Sequence, residues 1–160
     1  MTTGTGLHTT TGSFLYAATP VVPRIACRLA DPRCMPKRAH ATDAGADLFS
    51  VEDLTIRPGE DKMIDTGLAL KIPQGYGGFV LNRSSQRVNM ITSLGAGLID
   101  SDYRGNIKVF LYNGGKSEYK IKAYETKIAQ LVIMPVLLCE FFDSWNDTER
   151  GTGGFGSTGK

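Results

Sequence analysis

The chain is poor in the residues that build metal centres and disulfide frameworks. Its 160 residues include three cysteines and two histidines. Cys27, Cys34 and Cys139 are odd in number, irregularly spaced and without a CxxC pair, which argues against a zinc site. Free thiols in a reducing cytoplasm are therefore expected, and a disulfide between Cys27 and Cys34 is the less favoured alternative.

A dominant charge and long apolar runs are also missing. The formal net charge of +2 gives no support for a basic nucleic-acid groove. No run approaches the ~18 apolar residues of a membrane helix, so neither nucleic acid nor a membrane is expected as a partner. Residues 1–23 hold no acidic or basic side chain except His8, and their apolar piece, Phe14–Ala18, is too short for a secretory signal. They predict a disordered N-terminal extension.

Short apolar runs of period two are frequent from Arg24 onward, and they predict β-strands. The clearest are 68–72, 107–112, 119–124 and 128–134. Seven prolines and 19 glycines separate such runs, and no stretch keeps a helical period for three turns, although 143–149 could form one turn. We predict an all-β, jelly-roll-like distorted barrel over 24–149, followed by a flexible Gly-rich arm over 150–160.

The segment 97–105 has the strongest functional signal before the C-terminus. Gly97 and Gly105 would let a turn press its main chain against a ligand. Asp100 could orient and deprotonate a water, and Tyr103 could lie flat against a sugar ring. The alternative is a plain β-hairpin with solvated acids.

Three further segments carry groups suited to phosphate or to a cation. Arg83, Ser84 and Ser85 follow an apolar run, and a guanidinium beside hydroxyls suits phosphate oxygens; a capped turn is the alternative. In 41–50, Asp47 and its neighbour Asp43 could help hold a hydrated Mg²⁺ or simply cap turns. Gln130 places an amide in a buried strand, where a structural partner or a ligand phosphate would satisfy it.

The C-terminus, 150–160, combines a glycine-rich sequence with functional side chains. The stretch 154–160 begins like a P-loop, but the chain stops at Lys160, so a Walker A motif is excluded. Arg150 and Phe155 are unusual in a pure linker. They favour a lid that orders on binding.

Taken in order, the segments 41–50, 82–87, 97–108, 125–131 and 150–160 resemble the five motifs of the trimeric dUTPases, over roughly 24–160. The resemblance implies a homotrimer with sites shared between subunits. It implies Mg²⁺-assisted hydrolysis of dUTP to dUMP and pyrophosphate, which keeps uracil out of DNA and supplies dUMP for thymidylate synthesis.

The resemblance also implies a role for each matching residue. Asp100 would activate the attacking water, Tyr103 would pack on the deoxyribose, and the backbone around Gly97, Leu98 and Lys108 would read uracil. Phosphate contacts would come from two motifs, through Arg83, Ser84, Ser85 and Gln130. In the tail, Phe155 would stack over the uracil. The remaining tail residues would close on the β- and γ-phosphates; they are Arg150, Gly156, Ser157 and Thr158.

Some positions depart from the family pattern, and two other functions compete with hydrolysis. Asn82 replaces the usual proline before Arg83, Gln86 and Arg87 follow the serines, and Leu94 stands where many relatives have asparagine. A related dCTP deaminase would need a glutamate near Phe110, and none is present. A nucleotide-switched regulatory protein should lack Asp100 or the tail. A regulatory protein partner beside catalysis stays open.

Overall fold

The computed structural model describes residues 24–84, 90–92, 97–148 and 151. Over these ranges the chain forms eleven β-strands and one short 3-10 helix, Pro32–Cys34. The strands are β1 Ala26–Leu29, β2 Ala46–Phe49, β3 Leu54–Ile56, β4 Asp61–Asp65, β5 Leu68–Lys71, β6 Tyr76–Leu81, β7 Met90–Thr92, β8 Leu98–Ile99, β9 Lys108–Asn113, β10 Tyr119–Ile121 and β11 Lys127–Pro135. The predicted all-β class is confirmed.

The strands form small antiparallel sheets in which sequence neighbours are rarely spatial neighbours. The largest has the order β2-β11-β6-β8, a second has β4-β9-β7, and two-stranded pairs join β1 to β5 and β3 to β10. Such crossovers between sheets are typical of jelly-roll-like architectures. The alternative of a plain β-hairpin around 97–105 is wrong, since β8 pairs with β6 whereas β9 pairs with β4 and β7. The chain changes sheet within this segment.

Apolar residues from both larger sheets meet in one core. Leu48 of β2, Ile64 of β4, Val109 of β9 and Ile128 of β11 are fully buried. In β9 the alternation is as predicted, because Val109, Leu111 and Asn113 face inward. In β5 the alternation fails at one position, because Ala69 is buried like its neighbours Leu68 and Leu70. The strand is therefore covered on both faces, and the face that Ala69 occupies takes a small side chain.

Two local predictions have different outcomes. The helical turn expected at 143–149 is wrong for 143–148, which have no regular structure. The three thiols are free, with Cys34 buried and Cys27 and Cys139 exposed. Partial burial raises the pKa of the Cys27 thiol. Within the described ranges, no helix is long and apolar enough to cross a membrane.

Candidate active site

Two clusters of predicted functional residues lie on the four-stranded sheet. The first is a cleft of about 300 Å³, here named the Arg83 cleft, which lies beside the neighbouring strands β2, β11 and β6. Its lining residues come from the loop before β2, from β2, from the end of β6 and from the start of β11; they are Ala39, Asp43, Gly45, Asp47, Arg83, Ser84, Lys127 and Gln130. The cleft therefore joins three segments that the sequence keeps far apart.

One carboxylate bridges two cations in this cleft. Arg83 Nε donates to Asp47 Oδ1 at 2.7 Å, and Lys127 Nζ lies 2.8 Å from Asp47 Oδ2. Arg83 Nη1 also donates to the Lys127 carbonyl oxygen at 3.4 Å. The Asp47 side chain is only 13% exposed, so these charge-assisted bonds are less screened than surface pairs. Arg83 is thereby held at the mouth of the cleft.

Gln130 finds a structural partner and still lines the cleft. Its Nε2 donates to the Asn82 carbonyl oxygen at 2.6 Å. Gly45 lies against the amide, and a Cβ at that position would collide with the Gln130 side-chain oxygen and would lie 2.9 Å from its Cδ. A glycine is therefore required at position 45 because the amide of Gln130 occupies the space of a side chain.

The second cluster is the Asp100 turn, residues 97–106. The strand β8 enters it beside β6, and the turn is closed by the Tyr103 backbone amide, which donates to the Asp100 carbonyl oxygen at 3.2 Å. Arg104 Nη1 donates at 2.8 Å to the carbonyl oxygens of Ser101 and Tyr103. The carboxylate of Asp100 is exposed on the wall of an open cleft of about 880 Å³. The turn thus presents two acids, Asp100 and Asp102, on a backbone held by these hydrogen bonds.

Tyr103 is held by its hydroxyl and by the absence of a side chain at Gly105. The hydroxyl donates to the Asn106 carbonyl oxygen at 3.1 Å. A Cβ on Gly105 would collide with that hydroxyl and would lie 2.6 Å from the ring carbon bearing it. The ring is 45% exposed, so it has a fixed position and a face open to a ligand.

The three residues whose backbone is expected to read a base, Gly97, Leu98 and Lys108, do not all lie in one sheet. The Gly97 carbonyl oxygen accepts from the Val80 amide at 2.8 Å, and Leu98 is 59% exposed. Lys108 begins β9 opposite Asp65, in the other large sheet. Their predicted roles stay predictions, as do those of the other site residues.

The two clusters are separated within one chain. Ile99, next to Asp100, pairs with Gly78, and Arg83 lies five residues beyond Gly78. At ~3.3 Å per residue this places the Asp100 turn roughly 17 Å from Arg83 along the sheet. A triphosphate held at Arg83 would not bring its α-phosphorus to Asp100 of the same chain.

Several site residues fall outside the described ranges, and others escaped the sequence reasoning. Those outside are Ser85, Arg150, Phe155, Gly156, Ser157 and Thr158. Lys127, Gly45 and Asn106 were not assigned. The glycine at position 45, within 41–50, was a weak signal that another group approaches the backbone closely there. The contact of Lys127 with Asp47 depends on the register shift at the start of β11, which a two-residue period in the sequence does not reveal.

The side chains available to a divalent cation are few. Among the described residues, no group of three His, Cys, Asp or Glu side chains is placed to hold a metal ion. Asp47 lies between Arg83 and Lys127 instead. These residues do not fit a protein-built Mg²⁺ cage, although Mg²⁺ is commonly carried by substrate phosphates and water.

Comparison with known proteins is consistent with both clusters. The dUTPase family model matches residues 31–159. The chain is 43% identical over 135 residues to deoxyuridine 5'-triphosphate nucleotidohydrolase of Mus musculus, covering 83% of each chain. The chain therefore belongs to the dUTPase family.

Solved structures extend the comparison. The Staphylococcus bacteriophage 80alpha dUTPase with dUpNHpp is 30% identical, with a TM-score of 0.75, over 87% of this chain and 100% of that one. A mutant dUTPase from phage phi11 of S. aureus, in which a structural Mg(II) ion is coordinated, is 29% identical, with a TM-score of 0.69, over 78% and 98%. The similarity to these solved structures therefore covers the fold.

Proposed function

We propose that this protein hydrolyses dUTP to dUMP and pyrophosphate at sites built from the Arg83 cleft of one copy and the Asp100 turn of another. The observation that carries the proposal is the Asp100 turn, which presents an exposed carboxylate three residues before a pinned tyrosine. Family membership indicates the substrate, and the geometry indicates which cluster binds the phosphates and which carries the acid.

In this mechanism Asp100 accepts a proton from the water that attacks the α-phosphorus. The hydrogen bond from the Tyr103 amide to the Asp100 carbonyl oxygen fixes the backbone that carries the carboxylate, which limits the reorganisation that the reaction needs. Attack in line with the bridging oxygen forms the new P–O bond and expels pyrophosphate. Tyr103 packs on the deoxyribose, and its fixed ring leaves no space for a 2′-hydroxyl.

The Arg83 cleft holds the phosphate chain, with Ser84 and Gln130 beside the guanidinium. Ser85 adds a phosphate contact. In the tail, Phe155 stacks over the uracil, and the β- and γ-phosphates are closed over by these residues: Arg150, Gly156, Ser157 and Thr158. Asp47, which lines the cleft, is the side chain that would hold a Mg²⁺ carried by the triphosphate through water, and the ion would supply charge neutralisation. Lid closure would exclude bulk water.

The separation of the clusters supports a homotrimer with shared sites. Roughly 17 Å of sheet lies between them in one chain, which favours a site to which a second copy contributes one of them. Closed symmetry with sites at subunit boundaries repeats the same pairing around the ring. The trimeric arrangement of the family meets this requirement.

The segment after β11 supports association between copies. Residues 136–148 have no regular structure, and they carry large apolar side chains that are between 74% and 95% exposed: Leu137, Leu138, Phe141, Phe142 and Trp145. At ~2 kcal/mol for each side chain, burying all five would contribute about 10 kcal/mol. We infer that this second arm, residues 136–148, which precedes the Gly-rich arm over 150–160, packs against another copy.

The proposal is tested by pyrophosphate release from dUTP, dTTP, dCTP and UTP in the presence of Mg²⁺, with the base of each product identified. Release from dUTP alone is expected, because the Asp100 turn excludes a base methyl and Tyr103 excludes a 2′-hydroxyl. Binding of dUTP without turnover would favour a regulatory protein. Formation of a uracil nucleotide from dCTP would favour the deaminase.

A further inference from the structure

The exit of the Asp100 turn is attached to the connection between β4 and β5 by buried hydrogen bonds. The Ile107 amide donates to the Leu68 carbonyl oxygen at 2.7 Å. The Ile107 carbonyl oxygen accepts from the Thr66 hydroxyl at 2.7 Å and from the Thr66 amide at 3.2 Å. Ile107 and Thr66 are both 1% exposed, and breaking buried bonds of this kind is costly. The backbone that leaves the turn therefore has a fixed position.

Asn106 makes a second attachment to the same connection through its side chain. Its Nδ2 donates to Asp65 Oδ1 at 3.2 Å and to Asp65 Oδ2 at 3.3 Å. Asp65 Oδ1 also accepts from the Gly67 amide at 2.7 Å. Asp65 and Asn106 are half-buried, so these bonds to a charged acceptor compete less with water than bonds at the surface. One carboxylate thus joins the turn to the β4–β5 connection.

The main chain of Asn106 is what holds Tyr103. The Tyr103 hydroxyl donates to the Asn106 carbonyl oxygen at 3.1 Å. That carbonyl and the Ile107 amide belong to one planar peptide unit. The bond of the amide to Leu68 fixes one end of the unit, and the side-chain bonds of Asn106 to Asp65 fix the other. The acceptor of the phenol hydroxyl is therefore positioned from both sides.

Resting on the proposed function, we propose that Asp65 and Asn106 are positioning residues for sugar selection, because together they hold Tyr103 against the deoxyribose. Neither side chain needs to touch the nucleotide. A ring that excludes a 2′-hydroxyl must resist being displaced by it, since selectivity by a steric clash is lost when the clashing group can move away. Loss of the pair should therefore improve binding of the ribonucleotide relative to the deoxyribonucleotide. A loss of folding stability alone would weaken binding of both nucleotides equally.

The test exchanges the two side chains. Asn106→Asp places a second carboxylate against Asp65, and the two charges should repel. Adding Asp65→Asn restores an amide–carboxylate pair with donor and acceptor exchanged, and the new amide oxygen can still accept from the Gly67 amide. Calorimetry on dUpNHpp and its ribonucleotide counterpart gives the ratio of their Kd values. The preference for dUpNHpp should fall about tenfold in Asn106→Asp and return to within about threefold of wild type in the double variant.

Asp61→Asn is the matched control, because it makes the same charge change at an exposed position of the same strand. It should leave the ratio of the Kd values unchanged. Asp65→Asn alone keeps one acceptor oxygen beside Asn106, so it should lower the preference for dUpNHpp by less, about threefold. This milder variant gives the answer where Asn106→Asp does not fold.

An unchanged ratio in both single variants of the pair would overturn the proposal, as would a reduced ratio that the double variant does not restore. Turnover of dTTP by Asn106→Asp would also contradict it, since the pair would then shape the base pocket and not the sugar contact. If the wild-type chain bound dUpNHpp but released no pyrophosphate from dUTP, the proposed hydrolysis would fail, and the ratio of the Kd values would still test the pair.

Discussion

At the scale of single residues, the site depends on positions where a side chain is missing as much as on those where one is present. Gly105 leaves room for the Tyr103 hydroxyl, and Gly45 leaves room for the Gln130 amide. Both contacts place a polar group of the predicted site. Neither glycine has a positive φ, so their requirement is for space and not for backbone conformation.

Gly105→Ala tests whether the position of Tyr103 determines sugar discrimination. The new methyl would displace the phenol from its place beside Asn106, and the ring would no longer exclude a 2′-hydroxyl. We expect kcat/KM for dUTP to fall about tenfold, which is ~1.4 kcal/mol, and the preference for dUTP over UTP to shrink by a similar factor. Steady-state kinetics on both nucleotides measure this.

Gly59→Ala is the control for an added methyl away from the site: the methyl would meet nothing within 4 Å, and the φ of 76° makes the change a test of lost stability alone. It should leave the ratio of the two kcat/KM values unchanged. An intact dUTP preference in Gly105→Ala would remove Tyr103 from sugar recognition.

At the scale of elements, the sequence indicated strands more reliably than it indicated their partners. The period-two run at 107–112 matches β9, because alternation follows directly from one buried face. The run at 119–124 is strand only over β10, since a turn begins at Ala123. Pairing is a long-range property. The assignment of β8 and β9 to different sheets, and the bulge in β11, depend on core packing that a local pattern does not contain.

The functional residues divide along the same line. Asp100, Tyr103, Arg83 and Gln130 could be predicted as site residues because their motifs are local. Lys127 could not, since its approach to Asp47 crosses two strands and needs the bulge. The missing helix at 143–148 has a related cause: the segment leaves the fold, and its large apolar side chains stay exposed in a single copy.

Gly67→Ala tests the packing of the β4–β5 connection. Gly67 has a φ of 63°, and a Cβ there would lie 2.6 Å from Val51 and 2.7 Å from the Cys34 sulfur. Left-handed strain of ~1–2 kcal/mol and overpacking of ~1–3 kcal/mol should together lower the free energy of unfolding by about 3 kcal/mol. Urea denaturation at a fixed protein concentration measures the loss.

Gly59→Ala separates strain from packing, because its φ is 76° but its surroundings are open. It should cost about 1 kcal/mol. Equal losses in the two variants would mean that crowding of the added methyl against Val51 and Cys34 costs nothing.

At the scale of the whole molecule, the exposed apolar segment over 136–148 and the proposed shared site both point to a second copy. Trp145 is the single tryptophan of the chain, and it is 89% exposed in one copy. If the arm packs on a neighbour, its fluorescence should be blue-shifted in the assembled protein. Dilution or mild urea that dissociates the assembly should shift the emission to the red before the β-sheet signal in circular dichroism is lost.

Sedimentation at the same concentrations gives the oligomeric state for comparison. A red-shifted, exposed tryptophan in the intact oligomer would show that the arm does not dock. The Leu137→Ser and Leu138→Ser double variant should weaken assembly, because its apolar contribution is removed while the core is untouched.

The most direct test of dUTP hydrolysis at shared sites mixes two inactive variants. Asp100→Asn removes the water-activating carboxylate, and Arg83→Gln removes the guanidinium, so each alone should hydrolyse dUTP very slowly. When the two are co-expressed and mixed oligomers are verified by mass spectrometry, sites that combine an intact Arg83 cleft with an intact Asp100 turn should form. Random pairing predicts recovery of about a quarter of wild-type pyrophosphate release. No recovery in verified mixed oligomers would place both residues in one chain's site and contradict the account.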